Sequence, residues 1–226
     1  MDQVLDLLIA APALYAVGDR LPSLPPSAVI PTTLEVVTKC WKLDAELQAI
    51  YGRLENSHPG PIYWATLARD DYANPADTDP KCGKLFPVAF HFPNLSMAQA
   101  VLINWSVQLM LWKGLTQLYD MLASFQYDLS KLPPLGHRRQ FVEPARNICQ
   151  GVEYCLRDEM PGWGPSVATA PLSIVAAALV ECPEFKREVT WALEAMGRVH
   201  RQGVRIIGCN MGVREDLARS RPATES

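Results

Sequence analysis

The run from Leu95 to Trp112 constrains this chain more than any other feature. It is almost wholly apolar, which leaves two ways of satisfying its backbone: a helix buried in a protein core or a helix across a bilayer. Gln99, Asn104 and Gln108 interrupt the run, and such amides are costly in hydrocarbon but can find partners among neighbouring helices. The run therefore reads as a buried helix rather than a membrane span. Asn94 or Ser96 caps it, and it continues to about Phe125 as the central element of the fold. The second long apolar stretch, Val167 to Val180, is broken by Pro171 and also reads as a buried helix.

Other segments fit the same plan. In Val36, Val37, Cys40, Trp41, Leu43, Leu47, Ile50, Tyr51 and Leu54, apolar residues recur at three- and four-residue steps, with Lys39, Lys42, Glu46 and Arg53 largely elsewhere. A capping box of Thr32 and Glu35 after Pro31 predicts that this helix starts at Thr32, after a proline-rich loop over Leu21 to Pro31, and ends near Asn56. An earlier helix is expected over Val4 to Val17. From Ser57 to Pro93 repeated prolines predict loops and short turns, with a mobile acidic stretch from Asp70 to Asp79. Pro144 opens a helix running to Met160, where Pro161 and Gly162 stop it. Further helices are expected over Pro165 to Val180 and from Pro183 to about Ile207. No alternating strand pattern of useful length is visible. The expected fold is all-α, a single-domain antiparallel helical array over residues 1–208 with a polar tail over 209–226.

Composition narrows the function. At 226 residues and 49% hydrophobic content the chain can bury a large core. Its 24 acidic side chains outnumber its 21 Lys and Arg, which disfavours direct nucleic-acid binding. Cys40, Cys82, Cys149, Cys155, Cys182 and Cys209 include no Cys-x-x-Cys pair, so no zinc cluster, and no metal or other cofactor, is expected. Their apolar surroundings fit free thiols in a reducing compartment. Asp2 and Asp6 precede the first apolar run without a basic residue, which makes a poor secretory signal. An intracellular location, cytoplasmic or nuclear, is the expectation.

Four segments, taken in order, carry a resemblance: CWKLDAELQAIYGRLE at Cys40 to Glu55, LFPVAFHFPNLSMAQAVLINW at Leu85 to Trp105, ARNICQGVEYCLRDEM at Ala145 to Met160, and KREVTWALEAMGRVHRQGVRI at Lys186 to Ile206. Together they resemble the fungal-specific transcription factor domain, the effector domain that follows the DNA-binding module of zinc-cluster regulators. The resemblance spans roughly Asp2 to Ile207. It implies an all-α domain that senses small molecules or contacts the transcription machinery, with a deep hydrophobic pocket in some relatives. The zinc cluster, basic linker and coiled coil that precede this domain in such regulators have no counterpart before it in this sequence. Promoter binding is thus expected to need a partner.

Candidate site residues follow from spacing and chemistry. Trp105, Trp112 and Tyr119 recur along the central helix with Asn104 and Gln108 among them, aromatic walls with amides that could bond a ligand carbonyl. Ordinary core packing is the alternative. His91, in Phe90-His91-Phe92-Pro93, can serve as a general acid or base or as a structural histidine. Arg146 can hold a carboxylate or tie helices together, and Tyr154 adds a phenol on the same helix. No catalytic signature such as G-x-S-x-G, H-E-x-x-H or a glycine-rich phosphate loop is present.

Two functions lead among those compatible with these residues, ahead of a passive carrier of an apolar metabolite or a truncated product without activity. One is a cofactor-independent cyclase, isomerase or Diels–Alder-type enzyme of fungal specialised metabolism, with Gln108, His91 and Arg146 as catalytic groups and Trp105, Trp112, Tyr119, Asn104 and Tyr154 binding a hydrophobic small molecule. The other is a co-regulator or ligand sensor that works with a protein partner or as a homo-oligomer.

Overall fold

A computed structural model describes residues 16–18, 20–69, 83–160 and 162–201. The helix expected from Val4, the acidic stretch Asp70–Asp79 and the tail 209–226 lie outside these residues, apart from the last turn of that helix.

The fold is all-α. Its long helices are α1 (Pro26–Asn56), α2 (Leu95–Ser124), α3 (Val142–Cys155), α4 (Trp163–Leu179) and α5 (Lys186–Arg201). Asn94 caps α2 as expected, its side chain accepting the Met97 N–H at 2.9 Å. By length and composition α2 could cross a membrane, but 67% of its most apolar window is buried within the fold. Neighbouring helices cover that part of it.

Asp44 of α1 meets Trp112 of α2, and Thr33 lies against Met121, so these two helices run antiparallel. Gly151, late in α3, faces Leu102 and Phe92 at the other end of α2, which sets α3 antiparallel to α2 as well. A turn at Gly162, with φ of 83°, sends α4 back along α3. Gly164 then presses so close to the end of α3 that a Cβ there would lie 2.0 Å from the Cys155 carbonyl oxygen. Helix α5 returns along α4.

Two apolar clusters fill the fold. One gathers Phe86, Phe92, Leu102, Trp105, Ile148, Leu172 and Trp191 among α2 to α5. The other gathers Leu21, Val37, Leu47, Leu111, Trp112, Leu115 and Tyr119 between α1 and α2. A fully buried leucine contributes about 1.5–3 kcal/mol, and Leu21, Leu47, Leu102, Leu109, Leu115, Leu122, Leu172 and Leu179 are all fully buried.

Three expectations need correction. Helix α1 starts at Pro26 rather than Thr32, with Pro31 inside it. Pro31 forfeits a single bond to the Ser27 carbonyl near the helix start, while the extension buries Val29. The Thr32–Glu35 box does not form, and Glu35 instead pairs with Lys39 at 2.6 Å. Second, the region expected to be loops contains an antiparallel pair, β1 (Trp64–Leu67) and β2 (Val88–His91), with Trp64 opposite His91 and Leu67 opposite Val88. Strands of four residues leave too little alternation to be seen. Third, α3 stops at Cys155, five residues before Met160.

Candidate functional site

The structure spreads the residues nominated from the sequence over several places. Trp105 belongs to the first apolar cluster, where Tyr63, Phe90 and Phe92 surround it at ring distances of 5.2, 5.7 and 6.4 Å. Trp112 and Tyr119 belong to the second. Trp112 Nε1–H donates to Asp44 Oδ1 at 2.8 Å, and Tyr119 accepts from Trp41 Nε1–H at 3.0 Å while donating to the Pro133 carbonyl at 2.6 Å. Arg138 completes this network. It donates twice to Asp44 Oδ2, at 2.8 and 2.6 Å, and stacks over Trp41 at 4.6 Å. Asn104 and Gln108 sit one turn apart on α2, both buried. Neither the oxygen nor the nitrogen of the Asn104 amide has a hydrogen-bond partner.

Arg146 lies elsewhere. It joins Glu188 at the start of α5 at 3.0 Å and Glu143 at 3.1 Å, so it ties helices together.

His91 and Tyr154 come together at a second place where ionisable groups converge, apart from the Asp44–Arg138 network. The last turn of α3 supplies Glu153 and Tyr154, Arg157 follows just beyond it, and the hairpin supplies Trp64, Arg69, Lys84 and His91. Antiparallel pairing puts Trp64 and His91 side by side, with rings 5.7 Å apart, and packs His91 edge-on against Tyr154 at 5.6 Å. Arg157 donates from Nη2 to His91 Nε2, which leaves the proton of the neutral imidazole on Nδ1. Its guanidinium carbon also lies 5.7 Å from the centre of the Tyr154 ring.

Two acids and bases here are displaced towards their neutral forms. Burial, and then the Arg157 charge, hold His91 below its ordinary value of 6.5. Burial pushes the Glu153 carboxyl above 4.5, opposed by the Arg69 N–H and by the charges of Arg157, Lys84 and Arg69. Glu153 accepts the Arg69 N–H at 3.2 Å, and Lys84 donates to the carbonyls of Ala68 and Arg69 at 3.2 and 3.3 Å. The start of the connection between the two strands is thereby fastened to α3.

Beside this cluster lies a cleft lined by Arg69, Phe86, Cys149, Gln150, Glu153 and Trp191, with a cavity volume of about 10 Å³. That admits one water molecule. Enclosing a drug-sized ligand takes a pocket of roughly 300 Å³ or more.

Glu153 and Arg157 were missed in the sequence. Glu153 was within reach of the same reasoning, because it lies one helical turn after Cys149 on the buried side of an amphipathic helix. Arg157 carried no such signal. Among the described residues no group of three or more His, Cys, Asp or Glu side chains could hold a metal ion. No known protein family, curated protein or solved structure matches the chain.

Proposed function

We propose that this chain is a helical regulatory domain of the kind that follows the zinc-cluster module in fungal transcription factors, and that it works through surface contacts with other proteins. The order of the four resembling segments supports this reading, and so does their agreement with an all-α fold. The observation that carries the choice over an enzyme is the fate of Trp112. Its indole N–H is committed to Asp44 at 2.8 Å, and its ring fills the core between α1 and α2. The cyclase or Diels–Alder site read from the sequence takes that face as the wall of a pocket, and here the face is packed as core.

The test is to fuse the full chain to a heterologous DNA-binding module and measure a reporter downstream of its site. A regulatory domain changes reporter output at matched protein levels. Unchanged output, with the fusion folded and in the nucleus, would overturn the reading.

A further inference from the structure

Arg157 differs from the other arginines fixed in this fold. Arg138 has Asp44 and Arg146 has Glu188, each at 3.0 Å or closer, whereas no carboxylate forms an ion pair with Arg157 among the described residues. Its guanidinium meets a neutral imidazole and the Tyr154 ring, and its Nε is buried without a hydrogen-bond partner. A half-buried guanidinium in this state lacks the bidentate anion that its planar fork matches best. Trp64, which packs against the same His91, is 42% exposed, so part of a flat apolar ring faces solvent. His91 is in contact with both, with Arg157 through Nε2 and with Trp64 at a ring distance of 5.7 Å.

We propose that Arg157, His91 and Trp64 form a binding site for a planar carboxylate, the guanidinium taking the carboxylate and Trp64 the ring that bears it. The neighbouring cleft holds one water, so the ligand lies on the surface, over the hairpin, rather than in a deep cavity. Glu153 is the opposing charge nearby, and Arg69 and Lys84 flank it. The site rests on the regulatory reading only in the role given to its occupant, that of an effector.

Nuclear magnetic resonance titration of the full chain with sodium benzoate, sodium acetate and benzamide tests the site, following the Trp64 indole N–H and the His91 ring protons. Benzoate should shift both signals saturably and raise the pH at which His91 titrates, since an anion that binds the charged imidazole better must in turn favour its protonation. Benzamide, which has the ring without the charge, and acetate, which has the charge without the ring, should each bind about tenfold more weakly or worse. Arg157→Met should abolish benzoate binding and Arg157→Lys should weaken it. Trp64→Ala should reduce benzoate to the level of acetate, read from His91. If Arg157→Met fails to fold, the Lys and Trp64 variants decide the matter. Equal binding of benzoate and benzamide, equal binding of benzoate and acetate, or full binding to folded Arg157→Lys and Trp64→Ala proteins would overturn the proposal. A chain that binds benzoate in this way but leaves the reporter unchanged would sink the regulatory reading and keep the site.

Discussion

Replacing Asp44 should show how much of the fold depends on a buried network. Asp44 is 1% exposed and accepts three hydrogen bonds, one from Trp112 and two from Arg138. Arg138 sits on the segment between α2 and α3, so the carboxylate pins that segment to both α1 and α2. Asp44→Ala leaves a mostly buried guanidinium and an indole N–H without their acceptor, and breaking such a pair costs about 3–5 kcal/mol. In a chain of this size each kcal/mol moves Tm by about 2–4 °C, so a loss on the order of 10 °C is expected. Substituting both partners, in Asp44→Leu with Arg138→Met, removes the stranded charge, and most of the loss should be recovered. Thermal unfolding followed by circular dichroism on the wild type, Asp44→Leu, Arg138→Met and the double gives a complete cycle. A loss below about 1 kcal/mol for Asp44→Ala, or additive single effects, would refute the argument.

Three further outcomes are expected. Asn104→Leu should raise Tm, because both polar atoms of the amide are buried without partners and each such group costs about 1–3 kcal/mol; a fall in Tm in calorimetry would mean that Asn104 is satisfied in solution. Gly164→Ala should destabilise strongly, since its Cβ would meet the Cys155 carbonyl oxygen at 2.0 Å, whereas Gly114→Ala, with open space at its Cβ, should raise stability by up to about 1 kcal/mol in urea titration. Burial pushes the thiols of Cys40 and Cys155 up to about 11 and 12, so at pH 8 they should react with iodoacetamide far more slowly than half-exposed Cys182, as read by peptide mass mapping.

The parts of this fold written in local patterns were legible, and those written in distant contacts were not. Helix α2 is a local matter, since an asparagine cap and an apolar run suffice to place it from Asn94 to Phe125. The end of α1 at Asn56 follows from the same periodicity. Its start does not, because the capping box at Thr32 is a local preference and the burial of Val29 against the second core outweighs it. The strands escaped notice because each is four residues long and pairs with a partner more than twenty residues away. Distance in sequence also hid the chemistry. The spacing of Trp112 suggests a pocket wall, but Asp44, which occupies its N–H, lies 68 residues earlier. His91 and Tyr154 were both nominated, yet only the folding of the hairpin onto α3 brings them together and adds Arg157 to them.

That the aromatic face of α2 is closed core is the claim from which the functional reading follows, and native mass spectrometry of the full chain expressed in a eukaryotic host tests it most directly. The account predicts the bare 25.1 kDa chain, with no stoichiometric apolar adduct. A tightly held hydrophobic molecule, present in the wild type and lost from a folded Trp112→Ala variant, would contradict it and return that face to a pocket.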